Sequence, residues 1–247
     1  MRHYIITGAS RGIGKEVALL AAQPNVTLHL IARSNQEDLK EQLKSKGAEV
    51  FVYSFDLSDT EQIEGLVSEI IPKNIDFKSA KAIYLINNAG MLEPMGPIGK
   101  YAISEYRKNL ELNFVAPSLL CHEFIKYTNS FKGIKRILNV SSGAALNPYH
   151  GWSHYCSTKA GLDMMTRCIA LEHAPEIGCA GYNPGRTDTA MQEIIRNSSE
   201  DDFMYAQSFV DAYEQGKLNP PEKVAQHMLD VLHAAEYPNG ENIRYKG

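Results

Sequence analysis

The sequence lacks any apolar run long enough to cross a membrane, and its cysteines and histidines form no cluster with metal-ligand spacing. Only four cysteines occur in 247 residues, far apart and without a CxxC pair, which favours reduced thiols. The net charge is −4 without a basic run, so nothing indicates a nucleic-acid partner. The first residues enter an apolar strand pattern and show no signal peptide. We therefore expect a cytoplasmic protein without metal, nucleic acid or membrane association.

Short apolar runs alternate with amphipathic helical patterns, without an internal repeat or an interdomain linker. Strands are expected at residues 3–7, 26–31, 50–55, 82–86, 136–140, 177–182 and 242–245. Helices are expected at residues 15–22, 35–46, 58–71, 104–127, 153–173 and 220–235. Because strands that alternate with helices form parallel sheets, the pattern predicts one α/β domain over residues 1–247 with a doubly wound sheet. Residues 72–81 are expected to be irregular, and Pro117 is expected to kink the longest helix.

The first strand runs into a glycine turn that opens a helix. Its pattern is Gly8-x-x-x-Gly12-x-Gly14, in which glycine lets the backbone turn sharply and lets a pyrophosphate approach the helix N-terminus. A glycine turn without a ligand is the alternative interpretation. The candidate cofactor residues of this turn are Gly8, Ser10, Arg11, Gly12, Ile13 and Gly14.

The ends of the second and third strands carry candidate contacts for the adenosine half of a dinucleotide. Arg33 and Ser34 follow the second strand, where an acidic residue would accept a hydrogen bond from the ribose of NAD. An arginine there, with Arg11 in the glycine turn, instead suits a phosphate and predicts NADP(H). A solvated cation that leaves the cofactor choice open is the alternative for Arg33. Asp56 and Leu57 end the third strand, where the carboxylate is placed to accept from the adenine amino group.

Two later strand ends complete the candidate cofactor site. Asn88, Ala89 and Gly90 follow the fourth strand and suggest close packing beside a ligand, with a helix-capping turn as the alternative. A turn with proline, glycine and hydroxyl side chains follows the last core strand and suits the nicotinamide carboxamide or the phosphates. Its candidate residues are Pro184, Gly185, Thr187 and Thr189. Residues 190–215 are then expected to hold one or two helices, and residues 186–215 are expected to form a lid.

A tyrosine and a lysine four residues apart form the candidate catalytic pair. On one helix Tyr155 and Lys159 share a face, so the ammonium favours the phenolate and lowers the pKa of the phenol from about 10. Such a phenol gives a proton to a carbonyl oxygen or takes one from an alcohol. Ser142 could hydrogen-bond the same oxygen, and Asn113, a poor helix former within a predicted helix, is a candidate for holding a water. Taken alone, the pair could equally be solvated and without chemistry.

Together these motifs resemble the short-chain dehydrogenase/reductase family over nearly the whole chain. The resemblance rests on the glycine turn, Asn87-Asn88-Ala89-Gly90, Asn113, Ser142, Tyr155 with Lys159, and Pro184-Gly185, in this order. It implies a nicotinamide cofactor and a single-domain Rossmann-type doubly wound parallel sheet of about seven strands, with helices on both faces. It also implies a homodimer or homotetramer packed through the helices near 104–127 and 153–173.

The resemblance carries roles to the matching residues. It implies that Tyr155 is the general acid, that Lys159 lowers its pKa and holds the nicotinamide ribose, and that Ser142 orients the carbonyl group. It further implies that Asn113 supports a water of the proton relay and that Thr189 contacts the carboxamide side of the cofactor.

Two segments resemble one branch of the family, the sepiapterin reductases and the related benzil reductases of bacteria and fungi. These segments are residues 141–152 and 182–192. The likeness implies an NADPH-dependent carbonyl reductase that acts on a ketone, above all an aromatic α-diketone such as benzil. The candidate substrate-pocket residues are Ser142, Tyr149, Trp152, Met191 and Leu92, with ordinary core packing as the alternative for the apolar ones.

The terminal strand departs from the sepiapterin reductases, which hold the pterin ring with an acidic residue there. Here the strand reads Ile243-Arg244-Tyr245-Lys246, without a carboxylate. A bulky, uncharged aromatic dicarbonyl is therefore favoured over a pterin. A sepiapterin reductase is the alternative among enzymes, and a protein that senses NADP(H) without catalysis is the alternative from another class.

Overall fold

The apolar runs form one parallel sheet in a computed structural model that describes residues 1–247. Its seven strands are β1 (Arg2–Thr7), β2 (Val26–Ala32), β3 (Glu49–Ser54), β4 (Ala82–Asn87), β5 (Ile134–Val140), β6 (Gly178–Asn183) and β7 (Asn242–Arg244). Their order across the sheet is β3-β2-β1-β4-β5-β6-β7, and every neighbouring pair is parallel. The expected single doubly wound parallel sheet is confirmed.

Helices cover both faces of the sheet. They are α1 (Gly12–Ala21), α2 (Glu37–Ser45), α3 (Ile63–Asn74), α4 (Ile103–Leu110), α5 (Ala116–Thr128), α6 (Ser153–His173), α7 (Ala190–Arg196), α8 (Ala206–Glu214) and α9 (Pro221–His233). The buried faces of α1, α2 and α9 pack on one side of the sheet, and those of α3, α5 and α6 pack on the other. None of the helices is both long enough and apolar enough to span a membrane.

The strand order creates a crevice at one edge of the sheet. The chain runs outward from β1 to β3 and then returns past β1 to β4, so the direction of winding reverses between β1 and β4. Every residue of β2 and of β4 is buried, including Thr27 and His29, so both faces of these strands are covered. In sheets of this kind ligands bind outside the carboxyl ends of the strands, at the point of reversal.

The prediction of an irregular connection at 72–81 is wrong for its first residues, because α3 continues through Pro72 to Asn74. Proline removes one hydrogen bond from a helix. Ile70 and Ile71, just before it, are fully buried in the core. Burying one such side chain contributes about 1.5–3 kcal/mol, which offsets the loss and holds the last turn of α3 in place.

The long helix expected at 104–127 is divided by a π-helical turn just before Pro117. This turn spans Glu111–Val115, between α4 and α5, and Pro117 lies in the first turn of α5. Val115 and Ala116 both have helical dihedral angles, so the chain is continuous here, and Pro117, which has no N–H, leaves one carbonyl of the preceding turn without its usual helical donor. The irregularity therefore falls on the π turn, which carries Asn113.

A buried hydrogen-bonded network lies among β4, β5 and α6. Asn139 is fully buried, and its side-chain amide accepts from Asn87 Nδ2 at 2.8 Å and donates to Thr166 Oγ1 at 2.9 Å. The thiols of Cys121 and Cys179 contact the same amide at 3.8 Å. Since each buried polar atom needs a partner, the network fixes the three elements relative to one another.

We expect Asn139→Ala to lower the free energy of unfolding by about 2–3 kcal/mol, because Asn87 and Thr166 would each lose a buried partner. Urea unfolding followed by circular dichroism measures the change. Asn129→Ala is the matched control, since Asn129 is exposed at the end of α5. A loss no larger than that of the control would contradict the role given to the network.

Candidate active site

The turns after β1 and β4 are joined by hydrogen bonds at the carboxyl edge of the sheet. Thr7 Oγ1 accepts from the backbone N of Asn88 at 2.9 Å and of Ala89 at 3.0 Å. In return, Asn88 Nδ2 donates to Thr7 O at 3.0 Å and to Gly8 O at 3.3 Å. The structure therefore brings the glycine turn and the turn from Asn88 to Gly90 together at the crevice.

The glycine turn has the shape of an anion cradle. Gly8 and Gly12 have φ values of 66° and 55°, which residues with a Cβ rarely adopt, and a Cβ on Gly14 would collide with the Gly8 carbonyl oxygen. No side chain caps the N-terminus of α1, so its first N–H groups are available to an anion. Ile13 packs against the core, while Arg11 is exposed. A cofactor pyrophosphate fits this arrangement.

The turn after β6 lies against the glycine turn. Thr187 is buried and its hydroxyl donates to Pro184 O at 2.9 Å, while Gly185 has a φ of 68°, so this turn closes on itself. A Cβ on Gly12 would lie 3.3 Å from the methyl carbon of Thr189. Because the Thr189 hydroxyl does not cap α7, it is available to a ligand, whereas the hydroxyl of Thr187 is used within the turn.

Arg33 and Asp56 lie side by side at the ends of β2 and β3. Arg33 Nη1 is 3.8 Å from Asp56 Oδ2, and Asp56 Oδ1 accepts hydrogen bonds from the backbone N and the hydroxyl of Ser58. Partial burial acts to raise the pKa of Asp56, but these hydrogen bonds and the guanidinium hold it below its usual value. Leu57 is buried in the core, whereas Ser34 is exposed. The side chain of Arg33 is 60% exposed and can reach a ligand phosphate.

A cavity of about 320 Å³ opens beside this end of the site. Its lining residues are Ser10, Lys15, Asn35, Gln36, Glu37, Asp38, Leu39 and Gln42. Lys15 was not predicted as a site residue, although it follows Arg11 by four residues and therefore lies one helical turn further along α1.

Tyr155 and Lys159 share one face of α6 and are both buried. Lys159 Nζ donates to the Val140 carbonyl oxygen at 2.8 Å and lies 5.8 Å from the centre of the Tyr155 ring. A Cβ on Gly90 would be 3.7 Å from Lys159 Nζ and 3.2 Å from Asn113 Oδ1. The structure thus brings together the ends of β4 and β5, the π turn and the two candidate catalytic side chains.

Burial dominates the ionisation of both side chains. It raises the pKa of Tyr155 to about 12, which a hydrogen bond with Ser142 opposes only in part. It lowers the pKa of Lys159 to about 8, although Asp163 acts in the opposite direction. The pKa of Tyr155 thus shifts in the direction opposite to the one expected from Lys159, because burial disfavours the phenolate. At neutral pH the phenol keeps its proton, which is the form that a proton donor requires.

Ser142 and Asn113 hold backbone segments of the site in place. Ser142 Oγ accepts from the backbone N of Ala144 at 3.2 Å. The Asn113 side chain accepts from Met91 N at 2.9 Å, and it donates to Met91 O at 2.8 Å and to Asn109 Oδ1 at 3.0 Å. Asn113 therefore uses its amide to fix the loop after β4, a role that its place in a helix did not reveal.

Apolar side chains form a wall beside Tyr155. The rings of Trp152 and Tyr155 meet edge to face with centroids 5.6 Å apart, and Tyr149 lies 5.1 Å from Trp152. Leu92 is buried in the same cluster, and Met191 packs against it. The structure therefore brings the four apolar pocket candidates together next to the candidate catalytic tyrosine.

Two further aromatic side chains belong to this wall and were not predicted. Phe203 stacks on Trp152 with centroids 4.3 Å apart and ring planes 8° from parallel, and Phe209 contacts both rings edge to face. With Ala206 between them, they recur every three residues, and all three are buried. This helical spacing is a signal that could have identified the inner face of residues 186–215.

The terminal strand brings no carboxylate to the site. β7 is parallel to β6, with Arg244 opposite Asn183, so its carboxyl end lies at the same edge as the candidate active site. Glu241 precedes β7, and its carbonyl oxygen accepts from Gly181 N at the other end of the strand. The acidic residue that the sepiapterin reductase likeness would require is therefore absent from this edge.

Residues 2–200 match the family model of the short chain dehydrogenases, and the chain belongs to this family. The family and the fold define a short-chain oxidoreductase that acts as a carbonyl reductase with a nicotinamide cofactor.

Individual relatives lie in the branch that the sequence resembles. The chain is 38% identical over 247 residues to the benzil reductase ((S)-benzoin forming) of Bacillus cereus, with 99% of each chain covered. It is 31% identical over 254 residues to the sepiapterin reductase of Xenopus laevis, with 98% of this chain and 94% of the relative covered. Among solved structures, the KRED1-Pglu enzyme aligns with a TM-score of 0.84 at 29% identity, over 98% of this chain and 100% of that one. The resemblance to the benzil and sepiapterin reductases is confirmed.

The buried lysine makes stability depend on pH in a predictable direction. The pKa of Lys159 is about 8 in the folded chain, against an ordinary value of 10.5. Between these values the unfolded chain binds more protons at this position than the folded chain does, so this group makes the free energy of unfolding rise with pH. Below a pH of about 8 that contribution is fully lost, because the folded chain must then bury a charged ammonium.

We expect Lys159→Met to remove this pH-dependent contribution. From about pH 7.5 to pH 9, the difference in free energy of unfolding between wild type and variant should change by about 1 kcal/mol in favour of the wild type. Urea unfolding at the two pH values measures it. Lys223→Met, at an exposed position on α9, is the control and should show no such change. The same difference at both pH values for Lys159→Met would refute the prediction.

Proposed function

We propose that this chain is an NADPH-dependent reductase of aromatic α-diketones such as benzil. The observation that carries the proposal is the buried phenol of Tyr155 in an aromatic wall, with Lys159 and Ser142 beside it. Membership of the short chain dehydrogenases supports carbonyl reduction, and the relative from Bacillus cereus bears the name of a benzil reductase.

The residues of the chain supply the proton and the orientation of the carbonyl group. A bound nicotinamide cofactor supplies the hydride that the carbonyl carbon accepts. Ser142 and Tyr155 hydrogen-bond the carbonyl oxygen, and Tyr155 Oη passes its proton to that oxygen to give the alcohol. Lys159 lies close enough to the ring to stabilise the phenolate that remains. Asn113 holds the loop after β4 in place through its hydrogen bonds with Met91.

The cofactor is proposed to lie along the carboxyl edge of the sheet. The glycine turn would hold its pyrophosphate at the uncapped N-terminus of α1, and Lys159 would hold the nicotinamide ribose. The other proposed contacts are Asp56 and Leu57 for adenine, Asn88, Ala89 and Gly90 for the adjoining ribose region, and Pro184, Gly185, Thr187 and Thr189 for the carboxamide side.

Three cationic side chains support the proposal that the cofactor carries a phosphate on its adenosine ribose. Arg33 and Arg11 are exposed at the ends of β2 and of the glycine turn, and Lys15 lines the cavity next to Ser10. Arginine forks match a phosphate and gain little from a hydroxyl. Asp56 lies beside Arg33 and so keeps its guanidinium at the strand end.

The aromatic wall supports a bulky, uncharged substrate. The rings of Trp152, Phe203 and Phe209 are buried and pack on one another, and the partly buried side chains of Tyr149 and Met191 border them, so an apolar surface lies beside Tyr155. The carboxyl end of β7 carries Arg244 and no acidic residue to hold a pterin ring. An aromatic diketone therefore fits the chemistry of the wall better than a pterin.

Self-association is supported by apolar side chains on the outward faces of the helices named for it. Ile103 on α4 is 81% exposed and Leu171 on α6 is 86% exposed, with Met164 between Lys159 and Leu171 on the same helix. Covering such side chains favours assembly. We propose a homodimer or a homotetramer, which light scattering of the purified protein distinguishes.

The first test is NADPH oxidation with benzil, 1-phenyl-1,2-propanedione, sepiapterin and a simple aliphatic ketone. We expect turnover of the two aromatic diketones and at least about tenfold lower kcat/KM for sepiapterin, a difference of about 1.4 kcal/mol in transition-state binding.

Tyr155→Phe should lose turnover by at least about 100-fold and keep its affinity for NADPH, since only the proton donor is removed. Tyr213→Phe, on the exposed part of α8, is the matched control.

Different results would assign a different function. Efficient reduction of sepiapterin would show that the substrate is a pterin and not an aromatic diketone. NADPH binding without turnover of any of these carbonyl compounds would favour the sensor. Equal loss of turnover and cofactor affinity in Tyr155→Phe would remove the role of proton donor from Tyr155.

We further expect Arg33→Asp to shift cofactor preference from NADPH towards NADH. The new carboxylate repels a 2′-phosphate and accepts a hydrogen bond from a free 2′-hydroxyl. The ratio of kcat/KM for the two cofactors should fall by at least about tenfold. Arg167→Asp, at an exposed position on α6, controls for the change in charge. An unchanged ratio in Arg33→Asp would show that this arginine does not read the phosphate.

A further inference from the structure

Three segments that are far apart in sequence meet above the aromatic wall, and one aspartate joins two of them. They are the loop after β4, the loop before α6, and residues 197–205 between α7 and α8, which we call the α7–α8 link. Asp202 of the link accepts hydrogen bonds from Lys100 Nζ and, at 3.2 Å, from Tyr101 Oη. Its other carboxylate oxygen accepts from Ser199 Oγ at 2.8 Å. Every oxygen of this carboxylate is therefore engaged.

The α7–α8 link also packs closely on the loop before α6. Gly151 has a φ of 79°, and a Cβ at this position would collide with the Asp202 carbonyl oxygen. Gly151 O accepts from Gly96 N at 2.9 Å, and His150 Nδ1 accepts from Met204 N at 3.4 Å. These contacts hold all three segments at one place.

Asp202 is followed directly by the side chain that closes the wall. Phe203 is fully buried and stacks on Trp152, which is 5% exposed and in contact with Tyr155. The side chains of Lys100 and Asp202 are 45% and 21% exposed, so their contact lies at the surface, outside the pocket. A surface ion pair thus anchors the residue next to a buried aromatic contact of the candidate active site.

We propose that Asp202 is a positioning residue, which holds Phe203 against Trp152 through its contacts with Lys100 and Tyr101 and so sets the affinity for bulky substrates. The inference rests on the proposed function, because it assigns the aromatic wall to the substrate. Without this anchor, the α7–α8 link leaves the wall more often, and a substrate that reaches the wall loses contacts. A small diketone that reacts at Tyr155 without touching the wall loses no contacts.

The fluorescence of Trp152 tests the anchor without any need for activity, because this is the single tryptophan of the chain. We expect Asp202→Asn to raise the quenching of Trp152 by acrylamide about threefold, as expected when a partly exposed ion pair biases an open–closed equilibrium. The control is Asp201→Asn, which removes the neighbouring exposed acid and should leave quenching unchanged. Lys100→Met removes one of the two partners of Asp202 in the loop after β4 and should raise quenching above wild type, but no further than Asp202→Asn does.

The double variant decides whether Lys100 acts through Asp202. If it does, Lys100→Met combined with Asp202→Asn should show no more quenching than Asp202→Asn alone. Additive effects, or quenching in Asp202→Asn no higher than in Asp201→Asn, would overturn the proposal.

Kinetics connect the anchor to the substrate. In Asp202→Asn the KM for benzil should rise about threefold or more, while kcat for benzil and the KM for 2,3-butanedione stay within about twofold of wild type. Equal increases of KM for both diketones, or a fall in kcat alone, would contradict a role in positioning the wall. Absence of benzil turnover in the wild type would defeat the proposed function, whereas the quenching result would still decide whether Asp202 anchors Phe203.

Discussion

The buried hydrogen bond from Lys159 to the Val140 carbonyl oxygen is the interaction on which the candidate site depends. It joins the second turn of α6 to the end of β5 and places Tyr155 one turn away, beside Ser142. The same burial that makes the ammonium unfavourable also keeps the phenol protonated, because both charged forms lose hydration. One packing arrangement therefore both positions Tyr155, the candidate proton donor, and favours its protonated form.

The parallel sheet divides the site into two chemically different halves. The ends of β1, β2 and β3 carry glycines, hydroxyls and exposed arginines, which suit a charged dinucleotide. The segments after β4, β5 and β6 carry Leu92, Trp152 and Phe203, which suit an apolar substrate. Tyr155 lies where the halves meet, because the winding reverses between β1 and β4 and all strand ends face the same way.

Those parts of the fold and site that depend on short-range pattern could be predicted from the sequence. The strands, the glycine turn and the shared face of Tyr155 and Lys159 all follow from spacing and composition within a few residues. The pKa of Tyr155 could not be predicted, since it depends on burial by segments distant in sequence. Asp202 and Phe203 went unrecognised for the same reason: their partners Lys100 and Trp152 are far away along the chain.

The chain resembles both benzil and sepiapterin reductases, whose names give different substrates. If Tyr155 is the proton donor as proposed, we expect preference for one carbonyl compound to arise in the segments that cover it. Trp152 connects the proposed proton donor to the segment proposed to set substrate preference, because it touches Tyr155 on one side and Phe203 on the other. A change in the α7–α8 link can therefore alter which substrate fits while the hydrogen bonds of Lys159 and Asn113 stay intact.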